Sequence, residues 1–214
     1  LIGVGFLYVM TGTLNMADLA ERLPAISDSS TVRTAFAFIV TGICLKLALF
    51  PLHLWLPNAY TYSPSAVTAF LGATATKVAV YVLIRFVFTI FGVEFSFGAE
   101  PLAEILVPLA IIGLLSASTV SIMQPNIKRM LAYSSVAQIG YIVLGLAMGT
   151  AMGLTASLLH VFNHGLMKGA LFMVMGAVAY RMGGTSIDDM RGLAKTMPLT
   201  FWAFVLGGLS LIGR

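Results

Sequence analysis

Two histidines and a lysine recur every four positions in the apolar stretch LLHVFNHGLMKGALF: His160, His164 and Lys168. Positions four apart lie almost above one another on an α-helix, so the three form a column on one face. Histidine is the side chain whose unperturbed titration allows proton exchange near neutrality. Ionisable groups at membrane depth are expensive, and a functional role is the default reading for them. The column therefore points to a route for protons or cations. Ser157, three positions before His160, and Asn163, beside His164, extend the polar line. Two other readings stand beside this one. The imidazoles could serve as helix-packing donors. They could also bind a metal, although two ligands without carboxylate or cysteine partners make a poor site.

Two further lysines interrupt apolar runs. Lys46 sits in ICLKLALFPLHLW, with a long apolar run before it. Lys77 sits midway along FLGATATKVAVYVLIRF, preceded by Ala73, Thr74 and Thr76. The bland reading of each is a snorkelling side chain whose stem reaches an interface. The functional reading is a proton carrier, because an amine in a nearly dry interior releases its proton readily. Ser134, Gln138 and Tyr141 make a polar stripe at spacings four and three, suited either to interhelical hydrogen bonds or to holding water. His53 and Trp55 follow Pro51. Trp55 reads as an interfacial aromatic, and His53 has no assigned role.

The elements that must position these groups are membrane helices. The chain is 59% hydrophobic and only 9% charged, with a mean hydropathy of +0.97. That composition excludes a water-soluble domain. The apolar runs are continuous rather than alternating, which selects helices over a barrel. Seven apolar segments are predicted, over about 1–17, 34–56, 65–91, 102–123, 129–149, 153–180 and 199–214. Between the first two, DLAERLPAISDSSTVR reads as a polar loop. Pro51 lacks an amide hydrogen and clashes with the carbonyl of Leu47, so the second segment should bend or open one turn after Lys46. Pro64 suits the first turn of the next helix with Ser63 as its N-cap. Pro101 and Pro198 should start helices, Pro125 should end one, and Ser186 should cap a turn carrying Asp188 and Asp189. Gly145 with Gly149, and Gly165 with Gly169, are pairs that allow close helix packing.

The net charge is +4, yet no acid lies in the middle of an apolar run. Lys128, Arg129, Arg181, Arg191 and Lys195 fall on one side, against Arg22, Arg33 and Arg85 on the other. This places the loops around 124–128 and 183–197 in the cytoplasm. With a single cysteine, Cys44, there is no disulfide framework and no thiolate set for zinc or an iron–sulfur cluster. No nucleotide-binding glycine motif or flavin signature appears either, so no cofactor is expected and no catalytic chemistry is assigned to the chain. The chain opens without Met and stops inside an apolar run, which reads as a fragment of a larger protein.

The stretch KLALFPLHLWLPNAYTYSPSAVTAFLGATATKVAVYVLIRF resembles the core signature of the antiporter-like membrane subunits. So do NIKRMLAYSSVAQIGYIVLGLA, HVFNHGLMKGALF and GLAKTMPLTFWAFVLGGLSLIG, in the same order. That family includes the proton-pumping membrane subunits of respiratory complex I and the large subunits of Mrp-type sodium/proton antiporters. The wording PNAYTYSPSAVTAF and AYSSVAQIGYIVLG is most similar to the D-type large subunit of the Mrp antiporters. Asn58 departs from the aspartate frequent in the complex I subunits.

The resemblance implies an all-α, polytopic bundle with inverted repeats and broken helices, of which 1–214 is one transmembrane domain with no soluble part. It implies that Lys46, Lys77, His160, His164 and Lys168 are proton-path residues. An acidic partner for Lys46 is implied on an earlier helix, and a further lysine or glutamate beyond the chain's end. Lys46 would load a proton, Lys77 would bridge to the second half, and the histidine column would relay it onward. The implied partners are other membrane subunits, the lipid bilayer, protons and sodium, with no nucleic acid. The implied location is a bacterial inner membrane. The alternative is a proton-pumping subunit of an NADH-quinone oxidoreductase or a membrane-bound hydrogenase, whose redox chemistry would belong to partner subunits.

Overall fold

The computed structural model describes residues 1–212. It is built of α-helices, with short 3₁₀ and π turns. Helix α1 spans Ile2–Thr11 and ends where Gly12 turns left-handed at φ 72°. Helix α2 (Met16–Arg22) follows, and with the 3₁₀ turn Leu23–Ile26 that continues it makes an angle of 62° with α1. The stretch read as a polar loop is therefore helical in its first part. Asn15 caps it by accepting from the Ala17 amide, and Leu19 and Leu23 bury its one apolar edge. Charged residues on the open side of so short a helix hid its periodicity.

Helix α3 runs over Ser30–Leu47, starting earlier than the apolar pattern suggested. It stops one residue after Lys46, where Ala48 is left-handed at φ 63°. Turns carry the chain past Pro51 to helix α4 (Trp55–Tyr62). The segment expected over 34–56 is thus opened at its proline, and the Trp55 indole donates at 2.9 Å to the Leu45 carbonyl, which also accepts from the Ala48 amide at 3.2 Å. Ser63 ends α4 rather than capping the next helix, and its hydroxyl shares a hydrogen bond with Thr68 Oγ1 at 2.7 Å.

Helix α5 covers Ser65–Ile84 and continues through a π turn over Arg85–Ile90. Helices α6 (Leu102–Ile122), α7 (Ile127–Ala147) and α8 (Ala151–Met182) follow. A short helix α9 (Leu193–Thr196) leads into α10 (Pro198–Ile212). Ser186 and Asp189 cap one another as expected, each backbone amide donating to the other's side chain. Helices α3, α5 with its π turn, α6, α7 and α8 are long and apolar enough to cross a membrane. Of the other two expected segments, the first is the short helix α1, which makes a bent pair with α2, and the last is the shorter apolar helix α10.

The loops before α7 and after α8 meet on one side. Ile127 donates to the Thr185 carbonyl at 2.9 Å, and Ile187 to that of Pro125 at 3.0 Å. This agrees with the common side that the basic residues assigned them. The buried apolar residues form two clusters. One holds Leu47, Val80, Ile139 and Ile142; the other holds Leu56, Val136, Leu171 and Phe172. Along α5, α7 and α8 the first cluster gives way to the second at Thr76–Lys77, at Gln138 and between His160 and Lys168. Thr76, Lys77, Gln138, His160, His164 and Lys168 stand at this seam.

Candidate functional site

Helix α8 supplies the column. Nε2 of His160 and Oε1 of Gln138 lie 2.6 Å apart, joining α8 to α7. The His164 ring lies parallel to that of His160, with centroids 6.0 Å apart and an interplanar angle of 3°. His164 is fully buried, and neither ring nitrogen has a partner. A buried polar group without a hydrogen bond is unusual enough to require a reason. One turn further, Lys168 is also fully buried. Its Nζ donates to the Leu131 carbonyl at 2.8 Å and to Ser134 Oγ. From His160 to Lys168 the column climbs about 12 Å at the α-helical rise.

Lys77 approaches from α5. Close helix contact brings it there, because a methyl group at Gly165 would meet the Ala73 carbonyl at 3.2 Å and Lys77 Cε at 3.9 Å. A methyl at Gly169 would meet Ala73 Cβ at 3.3 Å. The Gly165–Gly169 pair thus admits α5 to the face that carries the column. Lys77 Nζ donates to the Gly72 carbonyl at 2.5 Å.

A groove of about 920 Å³ opens on the His160 end, between α7, α8 and α10. Gln138, Tyr141, His160 and Asn163 supply its polar lining. The Tyr141 ring lies 6.3 Å from that of His160. An open groove at one end, a fully buried interior at the other and titratable side chains between them form a geometry suited to stepwise proton transfer. Among the described residues no three His, Cys, Asp or Glu side chains converge as a metal set.

The other expected residues divide. Ser134 and Gln138 each join the column, to Lys168 and His160 respectively. The Ser157 hydroxyl instead donates to the Ile142 carbonyl at 2.9 Å, which fastens α8 to α7. Lys46 lies on an exposed face of α3. His53 is buried in the break after α3, stacked on Phe50 at 5.4 Å and edge-on to Tyr133 at 6.4 Å. The carbonyl acceptors of Leu131 and Gly72 were not foreseen, since a main-chain oxygen leaves no mark in a sequence.

A family profile described as "NADH:quinone oxidoreductase/Mrp antiporter, TM" matches residues 1–214. The chain is 51% identical over 213 residues to the NADH-quinone oxidoreductase subunit N of Desulforudis audaxviator (strain MP104C), covering 100% of this chain and 42% of the relative. It is 34% identical over 214 residues to the D-type subunit of the Na(+)/H(+) antiporter of Alkalihalophilus pseudofirmus (strain ATCC BAA-2126 / JCM 17055 / OF4), again covering 100% and 42%. The chain therefore spans well under half the length of both relatives. A solved chain of the membrane-bound sulfane sulfur reductase, an archaeal respiratory membrane complex, superposes with a TM-score of 0.89 at 36% identity. That match covers 100% of this chain and 43% of the other.

Proposed function

Because this chain belongs to the NADH:quinone oxidoreductase/Mrp antiporter transmembrane family, we propose that it conducts protons as one membrane subunit of a hetero-oligomeric complex. The observation that carries this reading is His164, fully buried with both ring nitrogens unpartnered, between His160 and Lys168 on one helix face. A neutral imidazole accepts a proton at one nitrogen and donates one from the other.

In this mechanism a proton enters from the groove at His160, oriented by Gln138. Ring centroids 6.0 Å apart leave the passage to His164 to an intervening water. Lys77 and Lys168 take the next places. Positive charges held this close repel, so a proton arriving on one group favours departure from its neighbour. At the broken helix Lys46, on an exposed face of α3, loads a proton separately from the His160 entry, with His53 buried in the break that follows it. The expected location is a bacterial inner membrane, with other membrane subunits as partners.

Two sources of driving force are carried into the test. The sequence motifs support sodium exchange of the Mrp type. The 51% identity to a quinone oxidoreductase subunit supports redox drive. Vesicles holding the complete complex, with a pH dye trapped inside, separate them. Proton movement on imposing a sodium gradient without reductant marks exchange, and movement on adding reductant and quinone without sodium marks redox drive. A complex that moves no protons on a sodium gradient and reduces quinone at full rate without moving protons refutes the proposal. In the same vesicles Gln138→Leu is expected to lower proton flux about fivefold, the scale of one lost hydrogen bond to the relay.

A further inference from the structure

The Gly72 carbonyl is claimed by two donors. Lys77 Nζ reaches back five residues along α5 to occupy it. A helical threonine ordinarily sends its hydroxyl to the carbonyl three or four residues earlier. Thr34, Thr74, Thr119 and Thr155 all do so at 2.8–2.9 Å. For Thr76 that carbonyl is Gly72's. Yet Thr76 Oγ1 is buried with no partner, in a residue only 1% exposed. A helical carbonyl offers one lone pair to the backbone ladder and has one left. The ammonium of the next residue holds that one.

The register of α5 on α8 adds a second fact. A methyl at Gly176 would meet Ser65, and one at Gly165 would approach Lys77, so the helices run antiparallel. Thr76 therefore stands at the depth of His164, the other orphaned polar side chain at the seam.

We propose that Thr76 is a positioning residue for Lys77: its hydroxyl is the alternate donor to the Gly72 carbonyl, and by taking that oxygen it releases the ammonium toward the histidine column. While Lys77 holds the carbonyl, the hydroxyl is orphaned, which raises the free energy of the held state. When Lys77 swings away, the hydroxyl closes the ordinary threonine bond. The inference rests on the proton-conduction reading, in which Lys77 exchanges protons with the column.

The complete complex in vesicles tests it through two variants. Thr76→Val keeps the β-branched shape and deletes the donor, whereas Thr76→Ser keeps the donor and deletes a methyl. Proton flux is expected to fall about fivefold for T76V and to stay within about twofold of the natural chain for T76S, at equal yields of assembled complex. A residue that merely packs gives the reverse order, serine worse than valine, and that order overturns the proposal. So does T76V with unchanged flux. If T76V fails to assemble, Thr76→Ala deletes the same donor with less bulk and is read in its place. Lys77→Ala, run alongside, keeps the two readings apart. Loss of flux in K77A with T76V unchanged defeats the Thr76 assignment alone. Unchanged flux in K77A defeats proton conduction through Lys77, and this inference with it.

Discussion

Lys168→Met, introduced into the complete complex, is expected to lower proton flux by about a hundredfold or more, the scale of losing a proton-transferring group. Assembly is expected to stay normal. Methionine follows the same unbranched path through the core and lacks only the ammonium. The groups left behind keep partners. Ser134 Oγ still donates to the Leu131 carbonyl at 3.1 Å, and Ser135 Oγ donates to the same oxygen at 3.0 Å. No buried acceptor is orphaned, so the usual penalty for breaking a buried pair does not arise. The thermal midpoint of the complex should hold or rise, because a fully buried amine costs more to desolvate than a methionine side chain does.

Lys168→Arg divides charge from proton exchange. Guanidinium keeps the positive charge but does not give up a proton in a protein. Flux should be lost in K168R as in K168M. Flux that survives in K168R but not in K168M would make Lys168 an electrostatic fixture rather than a carrier.

The column could be read in the sequence because its spacing equals the helix period and its residues are rare in apolar surroundings. The break after Lys46 could be read because proline removes a donor and crowds a carbonyl. What could not be read was which way each side chain faces. Lys46 and Lys168 sit in equally apolar strings, yet α7 and α5 enclose one, and α3 turns the other onto an exposed face. Ser157 and Ser134 have similar credentials in sequence. Register decides that one fastens α8 to the Ile142 carbonyl and the other meets Lys168. Helix α2 was missed because charges on its open side mask a single buried edge. The acceptors of Lys77 and Lys168 are main-chain oxygens, which any residue supplies.

Gly165→Leu is expected to cut flux at least tenfold with every titratable residue still present. At Gly165 an added Cβ meets the α5 backbone itself, the carbonyl of Ala73, at 3.2 Å. A main-chain atom of a packed helix cannot rotate aside as a side chain can. Alanine therefore requires a shift of a few tenths of an ångström, and leucine forces the helices apart. Over-packing of this kind costs about 1–3 kcal/mol of stability, which the thermal midpoint of the complex should register. The larger effect is on transfer, because Lys77 is carried on the helix that is pushed away. A displacement near 1 Å at a reacting group can cost about a hundredfold in rate. Flux should therefore fall in the order Gly, Ala, Leu, more steeply than assembly does. If G165L assembles and conducts like the natural chain, the separation between Lys77 and the histidines does not set the rate, and transfer between α5 and α8 must be given up.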